Sequence, residues 1–145
     1  DWEAVLSRMI NPETAGKDRL QIQRGIILAI RELMGQSEVD STTYDLAAFI
    51  VISLGAIECT IETSVAPWEK RGYWLKADRF RQDWSWVSSC EQKLRNAIRD
   101  DNWPDIAGVV AQVAGKLDKV KVPVRHKLGA PWVGAWEKLS HGKEA

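Results

Sequence analysis

The sequence predicts an all-α fold: a bundle of four main helices with a short N-terminal helix and an irregular C-terminal tail. Three observations carry this. Nearly every long segment repeats its apolar residues at spacings of three and four, and none alternates as a half-buried strand would. The breaks between those segments hold helix-ending or helix-starting residues, such as Pro12, Gly35, Gly72 and Pro104. The composition, 45% hydrophobic and 28% charged over 145 residues, suits one helical domain spanning 1–145 with its own core and no need of staples.

Residues 2–10 read as a short helix, closed by Asn11 and Pro12 because proline disfavours helical geometry at the residue before it. The next helix covers about 18–34, where Ile26, Ile27, Ile30, Leu33 and Met34 share a face and Gly35 supplies the C-cap. Thr42 and Asp45 resemble a capping box that opens a third helix over 42–64. That helix is apolar nearly all round, with Leu46, Ile50, Leu54, Ile57 and Ile61 on one stripe and Phe49, Ile52 and Ala56 opposite, so it belongs in the middle of a bundle. Its weakly polar stretch, 46–57, is 12 residues long, short of the roughly 18 that span a bilayer, and no membrane partner is expected.

Pro67 and Gly72 bracket a break before a single long helix over 73–99. There Ala77, Phe80, Trp84, Val87, Glu91, Leu94 and Ile98 form the seam expected of one helix lying along another. The last main helix covers 103–119, capped by Asn102 or Asp101, with Pro104 in its first turn, where a missing N–H is harmless. From 121 onward sustained periodicity stops, save for a helical turn or two over 131–139. Trp132 and Trp136, four apart, would clip this peripheral tail onto the bundle.

Net charge is zero, yet residues 1–66 carry 5 Lys/Arg against 10 Asp/Glu and residues 67–145 carry 15 against 10. Opposed charges of this kind attract within one fold or across a symmetric dimer. Cys59 and Cys90 are too few and too badly spaced for a disulfide framework or a zinc site. They read as buried reduced thiols, which favours a reducing, cytoplasmic setting. No P-loop, G-x-S-x-G, G-x-G-x-x-G or H-E-x-x-H is present, so no catalytic residue is assigned and no cofactor is expected.

Two constellations invite a functional reading. Glu58 and Glu62 lie four apart, so both carboxylates project from one helix face, as a metal site or an acid/base pair would require. Di-iron bundles, however, need Glu-x-x-His pairs, and the histidines, His126 and His141, lie in the tail. All-helical nucleotide pyrophosphatases use Glu-x-x-Glu with a later Glu-x-x-Asp, which this chain does not have. The simpler expectation is a buried ionic network with Arg79 and Arg81, in which removal of one member costs about 3–5 kcal/mol.

The second constellation is residues 67–86, which hold four of the eight tryptophans with five Lys/Arg and three acids. On a helical projection Phe80 and Trp84 belong to the seam, whereas Leu75, Arg79, Trp86, Cys90 and Ala97 form a second face. Trp68, Lys70, Arg71 and Trp74 remain beside it at the bend. Exposed tryptophan and arginine are typical of interface hot spots, so these residues predict a non-enzymatic module that forms a homo-oligomer, a dimer, or binds a protein partner. The alternative is a helical enzyme or ligand-binding bundle, with or without a metal, built on Glu58, Glu62, Arg79 and Trp68 or Trp74. A third reading, nucleic-acid binding through the basic residues of 70–81 and 116–127, is opposed by Asp78 and Asp83.

Overall fold

A computed structural model describes residues 11–126 and 128–142; the expected helix at 2–10 lies outside the described residues. The described residues form an all-α bundle. Its elements are α1 (Ala15–Met34), α2 (Ser41–Lys70), α3 (Trp74–Asp83), α4 (Ser85–Arg99), α5 (Trp103–Lys116) and α6 (Ala135–Gly142). The four predicted main helices are present, with the third divided into α3 and α4, and the short helical stretch expected in the tail falls at Ala135–Gly142.

The central helix is α2, about 45 Å long at 1.5 Å per residue. It packs against α1, α3, α4 and α6, as its all-round apolarity requires. Leu46, Ile50, Leu54 and Ile57 are fully buried along it. By length and composition α2 would also suit a membrane span, but 67% of its most apolar window is covered by the rest of the bundle.

The start of α2 differs from the expected Thr42–Asp45 box. Asp40 is the N-cap: its Oδ1 accepts from the backbone N–H groups of Thr42 and Thr43, at 3.0 and 3.2 Å, while the Thr43 hydroxyl accepts from the Asp40 N–H. That leaves Asp45 available elsewhere. Its carboxylate accepts from the N–H groups of Gly134 and Trp136, at 3.2 and 2.9 Å, and so caps the N-terminus of α6 from another part of the chain. Trp136 packs on Tyr44 and Trp132 on Phe49, which holds the tail against α2.

At its other end α2 runs through Pro67 to Lys70, six residues past the expected end at 64. A proline removes one ladder bond, and within the last turn little helix remains to be disrupted. The real stop is Gly72, whose φ of +82° is left-handed. The N–H of Tyr73 reaches back to the Trp68 carbonyl and that of Gly72 to Glu69, the hydrogen bonds of a glycine-terminated C-cap.

A second difference falls at Trp84, where the expected continuous helix is interrupted for one residue. The Trp84 N–H bonds the Arg81 carbonyl and the Val87 N–H bonds that of Trp84, so the ladder tightens to three-residue spacing. The Ser85 hydroxyl also donates to the Gln82 carbonyl, competing for a backbone acceptor. The predicted seam survives this: Ala77, Val87, Leu94 and Ile98 are buried, with Phe80 and Trp84 packed against them. The second face survives only beyond the break. Cys90 and Ala97 are buried in α4, which α5 packs along, but Leu75 and Arg79 in α3 remain exposed.

Short connections make the main helices run up and down. One end of the bundle gathers the end of α1, the starts of α2 and α5 and the tail, tied by the Tyr44 hydroxyl donating to Asp101 at 2.7 Å. The opposite end gathers the start of α1, the end of α2 and all of α3.

Candidate interaction surface

The α2–α3 end is organised by two arginines. Arg81 forms a two-pronged ion pair with each of Glu62 and Glu69, at 2.9–3.0 Å, and so clamps α3 onto the last two turns of α2. Its hydrogen bonds, and after them its charge, lower the pKa of both carboxyls, and they in turn raise the guanidinium. The Glu–Arg expectation is met by Glu62 and Arg81, but at the surface, with the Glu62 side chain 62% exposed. Such a pair is screened by solvent, and the loss expected for a buried network does not apply.

Glu58 does not join it. Half-buried, its carboxyl is raised by burial and by the nearby negative charge of Glu91, which is itself paired with Arg95 at 2.8 Å. Glu58 and Glu62 therefore face different surroundings, and no group of three or more potential metal ligands occurs among the described residues. Arg79, the other expected partner, is exposed and makes no ion pair among the described residues. Of the two thiols, Cys90 is buried as expected, and burial raises its pKa; Cys59 is exposed.

Arg19, on α1, is the second organiser. Its Nη1 lies 3.2–3.3 Å from the Thr60 carbonyl, the Thr60 hydroxyl and the Ser64 hydroxyl on α2. Its guanidinium carbon stands 5.0 Å from the Phe80 ring centroid and 5.4 Å from that of Trp84. Those two rings continue a chain of aromatics. Trp68 meets Phe80 edge-on at 5.2 Å, Phe80 meets Trp84 at 6.4 Å, and Trp84 stacks on Trp86 at 6.2 Å. Trp68 and Trp86, singled out from sequence as interface residues, are thus half-buried members of an internal cluster, and Lys76 covers Trp68 at 4.3 Å.

Lys70, Arg71, Trp74, Leu75 and Arg79 behave differently. All are exposed, and they lie together because the Gly72 turn projects the start of α3 from the end of the bundle. Tyr73, Trp74 and Leu75 form a continuous apolar tip with 54, 63 and 63% of their surface in solvent. Arg79 lies one turn beyond Leu75 on the same face. Lys70 and Arg71, like Arg79, have no ion-pair partner among the described residues. An apolar tip ringed by uncommitted cations is costly to leave in water and well suited to a complementary surface.

Sequence reasoning missed a second feature at the opposite end. Between the C-terminal half of α1 and the outer side of α5 lies an open apolar groove of about 590 Å³. Ile30, Leu33 and Met34 form one wall; Ile106, Val110 and Ala111 form the other. Met34 and Val39 at its mouth are 79 and 53% exposed. The α5 wall is low because its residues facing the groove include small ones: Ala107 and Ala111, both exposed, and Ala114. That run of small residues was visible in the sequence, but nothing local said that α1 would stop short of covering it.

No protein-family model matches the chain, no curated protein is detectably similar to it, and no solved structure matches its fold.

Proposed function

We propose that the chain is a non-enzymatic helical module that self-associates or binds a protein partner through the tip formed by Lys70, Arg71, Tyr73, Trp74, Leu75 and Arg79. The observation that carries this reading is the run Tyr73-Trp74-Leu75, more than half exposed at the Gly72 bend and flanked by cations that have no ion-pair partner among the described residues. Tryptophan, tyrosine and arginine are the residues that dominate interface energetics, because they join large apolar area to directional polar groups. The partner this chemistry fits offers an apolar pocket with a carboxylate rim. The engagement of Glu62 by Arg81 argues against a catalytic use of the Glu58/Glu62 pair, since a carboxylate held below its usual range is a poor proton acceptor. A cytoplasmic setting suits the exposed thiol of Cys59.

A photo-crosslinking residue at position 75, used in cells of the source organism, tests the proposal. The expected result is a covalent adduct to a protein, either this chain or another, that Arg71→Glu greatly reduces. Adducts confined to lipid or nucleic acid, or none above those of a crosslinker placed at exposed Gln92, would refute it.

A further inference from the structure

The groove end of the bundle is acidic on its exposed surface. The end that carries the groove holds Glu32, Glu38, Asp40, Asp101 and Asp105, all exposed, against Arg31 and an Arg99 already beside Asp100. Glu38 itself lines the groove. The opposite end presents Lys70, Arg71, Lys76 and Arg79 around the apolar tip, with Asp78 and Asp83 exposed on α3 and Glu62 and Glu69 engaged by Arg81. An apolar groove with Glu38 in its lining, at an acidic end, and an apolar tip bearing unpaired cations thus occupy opposite ends of the same molecule.

We infer that the groove between α1 and α5 receives the Tyr73–Trp74–Leu75 tip of a second copy of the chain. This rests on the proposed use of the tip and names its partner. Three features argue for that occupant. The groove lies in the size range of sites that enclose a large side chain or a drug-sized molecule, and Trp74 with Leu75 is an apolar projection of that scale. The small α5 wall at Ala107 and Ala111 lets another backbone approach closely. The charges are complementary across the contact, with Glu38 and its neighbours facing Lys70 and Arg71, and they oppose tip-to-tip or groove-to-groove pairing, which would bring like charges together.

The contact joins two different surfaces. A head-to-tail row satisfies it once at each joint, and a closed antiparallel pair satisfies it twice where tip and groove share a side of the bundle. With only a tip and a groove at its centre, the interface is small, so association depends on concentration and weakens as salt screens the charges.

Sedimentation of three proteins decides the matter: the parent chain, a tip variant Trp74→Ser, and a groove variant Ala111→Arg. Both substituted positions are exposed, so each variant is expected to keep the parent helical circular dichroism and melting temperature. Expected are a parent whose mean mass rises above the monomer with concentration and falls back in high salt, and two variants that each stay monomeric. An equimolar mixture of the variants regains a heterodimer, because one copy keeps an intact groove and the other an intact tip. A parent that is monomeric throughout overturns the inference, and if the position-75 crosslink still captures another protein, the tip reading survives it. Self-association retained by Ala111→Arg but lost by Trp74→Ser also overturns it, since the tip then meets some other surface. So does an Ala111→Arg variant that melts well below the parent while associating normally, because the groove is then filled by the chain itself.

Discussion

Replacing Arg19 by alanine is the sharpest probe of how the α2–α3 end is held together. The side chain joins α1 to α2 through the oxygens of Thr60 and Ser64 and lies over the rings of Phe80 and Trp84. All three acceptors share the single Nη1, which has only two hydrogens, and the distances of 3.2–3.3 Å are long. Together they count as about one good charge-assisted bond, roughly 1.5–3 kcal/mol. The two ring contacts add about 0.5–1 kcal/mol each. Burial works the other way, since it penalises the guanidinium enough to lower its pKa. A net loss of about 2–3 kcal/mol is expected, equivalent to a fall of roughly 7–10 °C in melting temperature for a chain of this size. Urea unfolding followed by tryptophan fluorescence measures it directly, because Trp84 sits under the lost charge. Arg19→Lys keeps a cation over the rings but loses the planar fork, and should recover about half of the deficit. If Arg19→Ala unfolds within about 0.5 kcal/mol of the parent, the cluster is held by apolar packing alone and the reasoning fails.

Leu54→Ala empties a fully buried site at the middle of α2 and should cost about 3–5 kcal/mol, read from the same urea transitions. Asp40→Ala removes the acceptor of the α2 cap and should cost about 1 kcal/mol, with Asp40→Ser recovering most of it in thermal melts. Glu58→Gln should stabilise the protein at neutral pH. The folded-state pKa of Glu58 lies above its ordinary 4.5, so the folded chain holds that proton more tightly and stability falls as pH rises through the interval between the two values. The advantage of the glutamine variant is therefore absent well below pH 4.5, grows across that interval and is constant above it; melting curves showing no such trend would contradict the assigned surroundings of Glu58.

Much of this architecture was legible in the residues. Helix boundaries at Gly35, Gly72 and Asn102 follow from backbone chemistry within a few positions, and the 77/80/84/87/91/94/98 seam was visible because period is a local property. The misreadings also have local causes. Thr42–Asp45 resembles a capping box as closely as Asp40–Thr43 does, and only the arrival of Gly134 and Trp136 decides that Asp45 serves another helix. Trp84 carries no helix-breaking chemistry of its own, and the break there accompanies the stacking of Phe80, Trp84 and Trp86 beneath Arg19. In the candidate surface, Lys70, Arg71, Trp74, Leu75 and Arg79 were legible as residues needing a partner. The partial burial of Trp68 against Phe80 and of Trp86 against Trp84 was not, since it depends on how α3 folds back on α2 and breaks at Trp84.

By itself the sequence determined that this protein is helical, that α2 is its central element, and that a bend at Gly72 brings cations and aromatics together. These follow from hydrogen bonding and periodicity within windows of a few residues. The tertiary structure alone decided which apolar faces are covered: α5 closes over the second face at Cys90 and Ala97 but not at Leu75, and α1 stops short of sealing the groove along α5. Burial belongs to pairs of surfaces brought together from distant parts of the chain, and no local pattern specifies which of those pairs will meet.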